Sequence, residues 1–385
     1  MNNQRVGPST SEDGSQLVPQ GAPAGAVSEL PAEAGSPITL VIPGRNAARV
    51  VRHCLDAVVP LLERGELAEI IFVDDASTDE TATIVAQYPI TCLKGQGHGP
   101  GAARNLGWRE ARSPLVWFID SDCVAEPDAL SRLRNHLGEE RVAAVGGSYG
   151  NMRPDSLLAC LIHEEIVERH RRMRPEVNFL ATFNVLYRRS ALEELGGFDE
   201  RFRLAQDAEL AFRVQEAGYR LRFEAGSRVG HFHPTRLLAY LKTQARQGYY
   251  RLLLYQRHPG RARGDDYSGL IDYAQPPLAL FLMTSIALVP LGAPGLLPSS
   301  SALRYALLGL PLLLSLLLLA ASLPLTFRII GRTRQVRYLW FAPMSFARAA
   351  ARGLGLLMCA RDLAWSKRSR PWPSRIRSIR CDPGP

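Results

Sequence analysis

Carboxylates recur in this sequence where apolar runs end. Asp74 and Asp75 follow Ile70-Ile-Phe-Val73, Asp120 and Asp122 follow Leu115-Val-Trp-Phe-Ile119, and Asp207 stands much later in the chain. Acidic groups so placed gather a hard divalent cation through oxygen, or one of them takes a proton. A phosphorylated ligand is itself anionic, so carboxylates hold it only through such a cation. The Asp120-x-Asp122 spacing suits that task, because alternate residues of an extended segment point the same way. The apolar run before it puts the pair at the mouth of a buried strand. Asp75, Ser77, Thr78 and Asp79 also read as a helix N-cap with acidic residues near the positive end of the dipole. That leaves Asp74 and Asp75 together unaccounted for.

Each of these groups needs a rigid support, and the sequence supplies a repeated one. Residues 38–43 read as a short buried strand running into Pro43-Gly44-Arg45-Asn46. Residues 48–62 place Val51, Leu55, Val58, Val59 and Leu62 at helical spacing, and 69–73 read as a second buried strand. Strand, helix, strand implies a parallel βαβ unit. The alternation continues through a helix at 79–87, a strand at 90–93, a loop with Gly95, Gly97, Gly99 and Gly101, a helix at 102–111 and the strand 115–119. The expected fold class is α/β, a Rossmann-like, mixed but mainly parallel sheet flanked by helices. In open sheets of this kind ligands bind beyond the carboxyl ends of the strands, where the acidic loops lie. Helices at 126–137, 156–172 and 206–217, with strands near 143–147 and 220–225, are expected to complete the domain.

Hydrophobic residues make up 46% of the chain and charged residues 22%, a globular balance, but the apolar share gathers toward the C-terminus. Residues 276–297 and 303–327 are almost uncharged, each near the roughly 20 residues that cross a bilayer core. A transmembrane hairpin over 275–328 is therefore expected in preference to a buried helical hairpin of a soluble core. Basic segments at 251–263 and 328–337 flank it, and 291–301 has neither Lys nor Arg. That asymmetry predicts a multi-pass protein on the cytoplasmic face of the inner membrane. Residues 339–364, with Arg348, Arg352 and Arg361 among apolar positions, suit an amphipathic helix on the membrane surface, within a basic tail over 329–385. The formal charge of +9 is carried almost wholly by Arg, placed for membrane and phosphate and not for nucleic acid. Residues 1–36 read as a disordered leader, with no apolar core of a signal peptide. Scattered cysteines without C-x-x-C pairing fit a reduced compartment.

Four runs, in order, resemble the successive signatures of family 2 glycosyltransferases. They are residues 38–46, Glu69-Ile-Ile-Phe-Val-Asp-Asp-Ala-Ser-Thr-Asp-Glu-Thr81, Gly99-Pro-Gly-Ala-Ala-Arg-Asn-Leu-Gly107 and Phe118-Ile-Asp-Ser-Asp122. The resemblance extends over residues 37–235 and is specific as a set. It implies a GT-A catalytic domain over 37–262 and inverting transfer from a nucleotide-diphosphate sugar. The implied acceptor is lipid-linked or membrane-proximal, in cell-envelope polysaccharide or glycolipid synthesis. By the same resemblance Pro43 and Asn46 line the base pocket, Asp74 or Asp75 hydrogen-bonds the base, and Arg104 contacts the nucleotide. Asp120 and Ser121 hold ribose or sugar hydroxyls, while Asp122, with Asp120 and His231, ligates Mn2+ or Mg2+.

Asp207, within Gln206-Asp207-Ala-Glu209-Leu-Ala-Phe-Arg213, matches the family's catalytic base, and Gln206 stands where the family usually has a carboxylate. Gly196-Gly197-Phe198-Asp199-Glu200 also matches, or caps a helix. The Gln-x-x-Arg-Trp motif of processive membrane members has no match in Gln244-Ala-Arg-Gln-Gly-Tyr-Tyr-Arg251, which points to single addition. Residues 236–257 read as an amphipathic helix at the membrane surface or as one packed across the catalytic domain. Two other readings fit less of the chain. A nucleotidyltransferase needs a longer glycine-rich phosphate loop after the first strand than Pro43-Gly-Arg-Asn, and a non-catalytic nucleotide-sugar sensor or scaffold is favoured only by Gln206.

Overall fold

The computed structural model describes residues 35–139, 141–261, 265–292 and 302–369. The leader expected at the N-terminus, up to residue 34, the hairpin loop at 293–301 and the tail beyond 369 lie outside the described residues.

The first apolar run forms Ile38–Gly44 (β1), buried throughout, followed by Val51–Glu63 (α1) and Glu69–Asp74 (β2). The strands are parallel, with Gly44 opposite Asp74, so both loops leave the sheet at one level. Thr81–Val85 (α2) leads to Thr91–Lys94 (β3), whose Lys94 is again opposite Asp74. Pro100–Glu110 (α3) opens with Pro100 in its first turn, where proline's fixed φ is pre-organised and its missing N–H costs nothing. It is followed by Leu115–Ile119 (β4), buried on both faces. Alternation along these strands divides the core. Ile38, Leu40 and Ile42 pack with Val51, Leu55 and Val58 of α1, while Val41, Ile71 and Val73 pack with Ala103 and Trp108 of α3. A Cβ at Gly107 would overlap Val41, so glycine lets α3 lie flat on the sheet.

The chain then runs through Cys123–Ala125 (β5), Ala129–Arg134 (α4), Val142–Asn151 (β6), Leu157–His170 (α5), Glu176–Val177 (β7), Asn184–Arg188 (β8), Arg189–Leu195 (α6), Gln206–Glu216 (α7) and Arg220–His231 (β9). The sheet order is β3-β2-β1-β4-β8-β6-β9-β5, with β7 also on β9. β8 pairs antiparallel with both β4 and β6, and its place in the middle of the sheet was not expected from the sequence. Its polar ends, Asn184 and Arg188, are buried and break the apolar pattern. Asn184 satisfies Trp117 and Ser227, and Arg188 donates to the carbonyl of Val142. β9 extends six residues past the strand expected at 220–225 and delivers His231 beside Cys123.

Four long helices complete the chain: Leu237–Arg257 (α8), Leu270–Leu288 (α9), Ala302–Thr333 (α10) and Phe341–Ser369 (α11). α9 with the turn after it, to Gly292, and α10 are long and apolar enough to cross a membrane, with 28% and 17% of their most apolar windows buried. Phe281, Leu312 and Phe327 are exposed, the reverse of what a buried soluble hairpin requires. α11 differs from the expected surface-lying helix. The face carrying Phe341, Met344, Ser345, Arg348 and Ala349 is buried against protein. A Cβ at Gly248 of α8 would overlap the carbonyl of Arg352, and one at Gly355 that of Ala245, so glycine on both helices permits backbone contact.

An ionic seam fastens these helices to α5. Glu165, buried, receives Arg169 at 2.6 Å and Arg348 of α11. Arg332 of α10 reaches Glu168 at 2.7 Å and also Glu164.

Candidate active site

The aligned ends of β1, β2 and β4 bring three loops together. Asn46 takes a positive φ of 53°, and its Oδ1 accepts from the Thr78 N–H at 2.8 Å while its own N–H donates to Ser77 Oγ at 2.9 Å. Asn46 thus joins the loops after β1 and β2. Pro43 is buried inside β1, in register with Val73, so it shapes the strand exit and offers little surface to a base. Asp74 accepts from the Ser77 N–H at 3.1 Å. Both oxygens of Asp75 accept backbone N–H groups, from Gly97 and from Gly99, each at 2.8 Å. Asp75 therefore holds the glycine loop in shape. Arg104, 3% exposed, is fixed by Asp120 at 2.5 Å and lies over the Phe198 ring. Its Nε and Nη1 have no hydrogen-bond partner among the described residues, which leaves two buried donors at the cavity edge.

The geometry of residues 120–122 departs from the extended segment expected. The Cys123 N–H closes a turn onto the Asp120 carbonyl at 2.9 Å, and the two carboxylates part. Asp120 turns to Arg104, while Asp122 faces His231 at 3.3 Å. Asp122, His231 and Cys123 offer donor atoms within 4.8 Å of one another, and Asp120 is not in that group. Asp120 Oδ1 is engaged by Arg104. Ser121 lies in the turn, half-buried. Burial works to raise Asp122, but the charge and hydrogen bond of His231 outweigh it and hold the carboxyl below its ordinary value. Burial raises Asp120, with Arg104 opposing and Asp122 adding to the rise. Burial pulls His231 down, and Asp122 more than restores it. His231 Nδ1 lies 2.8 Å from His233 Nδ1, and the buried Nε2 of His233 has no partner. Carboxylate and imidazole suit a borderline-hard divalent cation, whereas the Cys123 thiol, buried and raised well above its usual value, is a poor match.

Asp207 is the second residue of α7, after Gln206 and the N-cap Ala205, which is held at φ 63°. Three of the five non-glycine residues with positive φ among the described residues, Asn46, Ala76 and Ala205, border this site, where strained backbone tends to mark function. Burial raises Asp207 above the usual carboxylate range, with the Ala208 N–H, Arg104 and Arg251 opposing. Gln206 is buried and its Oε1 lacks a partner among the described residues. Glu209 of the same motif is structural. It binds Arg213 at 2.7 Å, and Arg213 donates to the carbonyls of Leu195 and Gly197. Gly196 is the left-handed C-cap of α6.

Asp120, Arg104 and Asp207 line one end of a cavity of about 670 Å³ that runs on to α8, α9 and α11. Tyr149, Arg169, Gln244, Arg251, Arg348 and Arg352 line it too. None of these was identified as a site residue from the sequence. The available signals were Arg348 and Arg352 four apart on an otherwise apolar helix, and the polar pair Gln244 and Gln247 on α8.

Residues 39–196 match the family described as Glycosyl transferase family 2. The chain is 30% identical over 238 residues to the Pre-mycofactocin glycosyltransferase of Mycobacterium tuberculosis, covering 58% of this chain and 48% of that protein. It is 28% identical over 227 residues to Glycosyltransferase AglE of Haloferax volcanii, covering 55% of this chain and 71% of that protein. The chain thus spans about half the length of the first of these relatives. Its fold is similar to that of the mannosyltransferase PcManGT from Pyrobaculum calidifontis, solved with GDP-Man and Mn2+. The TM-score is 0.55 at 20% identity, over 84% of this chain and 87% of that one.

Proposed function

From the match of residues 39–196 to glycosyltransferase family 2, we propose that this chain is a member of it and transfers a sugar from a nucleotide-diphosphate sugar to an acceptor hydroxyl with inversion. The acceptor is lipid-linked or membrane-proximal, and the setting is cell-envelope polysaccharide or glycolipid synthesis. The observation that carries this reading is the shared cavity wall that brings Arg104, Asp120 and Asp207 together, with Asp122 of the Asp122–His231 pair on the same loop as Asp120.

Asn46, Asp74 and the glycine loop held by Asp75 form the nucleotide side, and Arg104 presents its two free donors to phosphate. Asp120 orients Arg104 and, with Ser121, borders the sugar. Asp122 and His231 would hold a divalent cation, Mn2+ or Mg2+, which when bound offsets charge on the departing nucleoside diphosphate. Asp207 receives the acceptor proton as the hydroxyl oxygen bonds to the anomeric carbon and the bond from that carbon to the diphosphate breaks. Its raised affinity for protons, from burial, suits that task. The exposed apolar faces of α9 and α10 support a membrane anchor, with both ends on the cytoplasmic side.

A thermal-shift screen of nucleoside diphosphates with Mn2+ or Mg2+ tests the donor side and ranks the two cations, since ligands of the native state raise its melting temperature. Asp122→Ala is expected to lose the cation-dependent shift. Asp207→Asn is expected to keep it and to lose transfer by about 100-fold or more. Full turnover by either variant sinks the role given to that residue.

A further inference from the structure

The far end of the cavity carries a cation whose one carboxylate partner among the described residues is distant and shared. Four guanidinium groups line it, from Arg169, Arg251, Arg348 and Arg352. Three carboxylates answer them. Glu165 takes Arg348 and Arg169, Asp272 takes Arg169 through both oxygens at 2.6 and 2.9 Å, and Asp265 takes Arg251 at 2.8 Å. Arg352 makes one ion pair among the described residues, at 3.8 Å to the already engaged Asp272. Two neutral amides hold it in place instead. Gln244 Oε1 accepts from Nε at 2.8 Å and Gln247 Oε1 from Nη2 at 3.2 Å. The close crossing of α8 and α11 at Gly248 brings both glutamines to it.

From this placement we infer that Arg352 is the centre of an acceptor subsite for a phosphate group, which sits at the α8–α11 wall while the acceptor's hydroxyl reaches Asp207. The inference rests on the transferase reading of the same cavity. A guanidinium already braced along one edge by two amides keeps its remaining N–H groups for an oxyanion, and guanidinium matches phosphate in a paired geometry. Burial first, and then Arg348 nearby, bring Arg352 down to about 10, with Asp272 opposing. Pro276, Pro277 and Leu356 line the same end, and the two prolines belong to the apolar helix α9, so an alkyl tail on the phosphate has an apolar way out.

Equilibrium binding of radiolabelled dodecyl phosphate and inorganic phosphate to the full chain in neutral detergent tests the site. Arg352→Gln is expected to weaken dodecyl phosphate binding about tenfold or more, the loss of a charged hydrogen-bonding pair. Arg352→Lys is expected to restore part of it, and Arg361→Gln, at an exposed position on the same helix, to bind like wild type. Tighter binding of dodecyl phosphate than of inorganic phosphate supports a lipid headgroup, and equal binding supports a phosphate without a tail. The thermal shift by nucleoside diphosphate with Mn2+ is read on every variant and is expected to be unchanged in Arg352→Gln. If that shift is intact and Arg352→Gln binds both phosphates like wild type, the subsite is overturned alone. If wild type shows no nucleotide shift, the transferase reading itself falls.

Discussion

Asp207 and Asp75 are both carboxylates beside one site, and their surroundings give them opposite work. Asp207 has one backbone amide as a partner, Ala208, and burial lifts it above the ordinary carboxylate value. A base acts only when deprotonated, so turnover is present above its folded value and fades as pH falls through it. The acid limb of kcat/KM is therefore expected above the ~3.9 of a free aspartate, and Asp120, Arg104 and Arg251 are the charges that tune it. A limb at or below that value argues against Asp207 as the base. Asp75 spends both oxygens on Gly97 and Gly99. Asp75→Ala is expected to lower stability by about 2 kcal/mol, read from chemical denaturation, as the loop loses two charge-assisted bonds. Asp74, Asp75, Asp120 and Asp122 were legible in the sequence because they follow apolar runs, and Asp207 only through the family resemblance. Their division of labour was not, since it depends on partners such as Gly97, Arg104 and His231, which no local pattern connects. The turn at 120–122 shows the same limit. Spacing alone put both carboxylates on one side, and a single hydrogen bond from Cys123 sends them apart.

Strands buried on both faces and long apolar helices announce themselves, and β1, β2, β4, α9 and α10 were all legible. β5, β7 and β8 were not. β5 and β7 have three residues and two, and β8 hides buried Asn184 and Arg188 at its ends. α11 was legible as a helix but not in its orientation, because Arg348 and Arg352 look like a solvent face until Glu165 and Gln244 are brought opposite them. The α5 seam makes this testable. Glu165→Ala leaves Arg169 and Arg348 buried without their shared carboxylate, and a loss of about 3–5 kcal/mol is expected in thermal or denaturant unfolding. Burial would raise Glu165, but Arg348 and Arg169 outweigh it and hold it low. Its contribution is therefore fully present above the unfolded value of ~4.3 and lost as pH falls through the lower folded value. A variant whose stability matches wild type at neutral pH would show that the seam carries no weight.

At the scale of the whole molecule the aligned strand ends form one side of the proposed site, and α8 and α11 line the cavity that continues from it. The exposed apolar faces of α9 and α10 predict that alkaline carbonate washing leaves the protein in the membrane fraction and detergent releases it. Release by carbonate alone would count against spanning helices. The seam also orders the molecule in time. Glu165 and Arg348 are 183 residues apart, so on a ribosome adding about 5–20 residues per second the arginine arrives roughly 10–40 s after the glutamate. By then both apolar helices have been made. The loops after β1, β2 and β4 can form early, but the cavity wall made by α8 and α11 closes only after the apolar helices are made, so the strand-end half of the site precedes the wall opposite it.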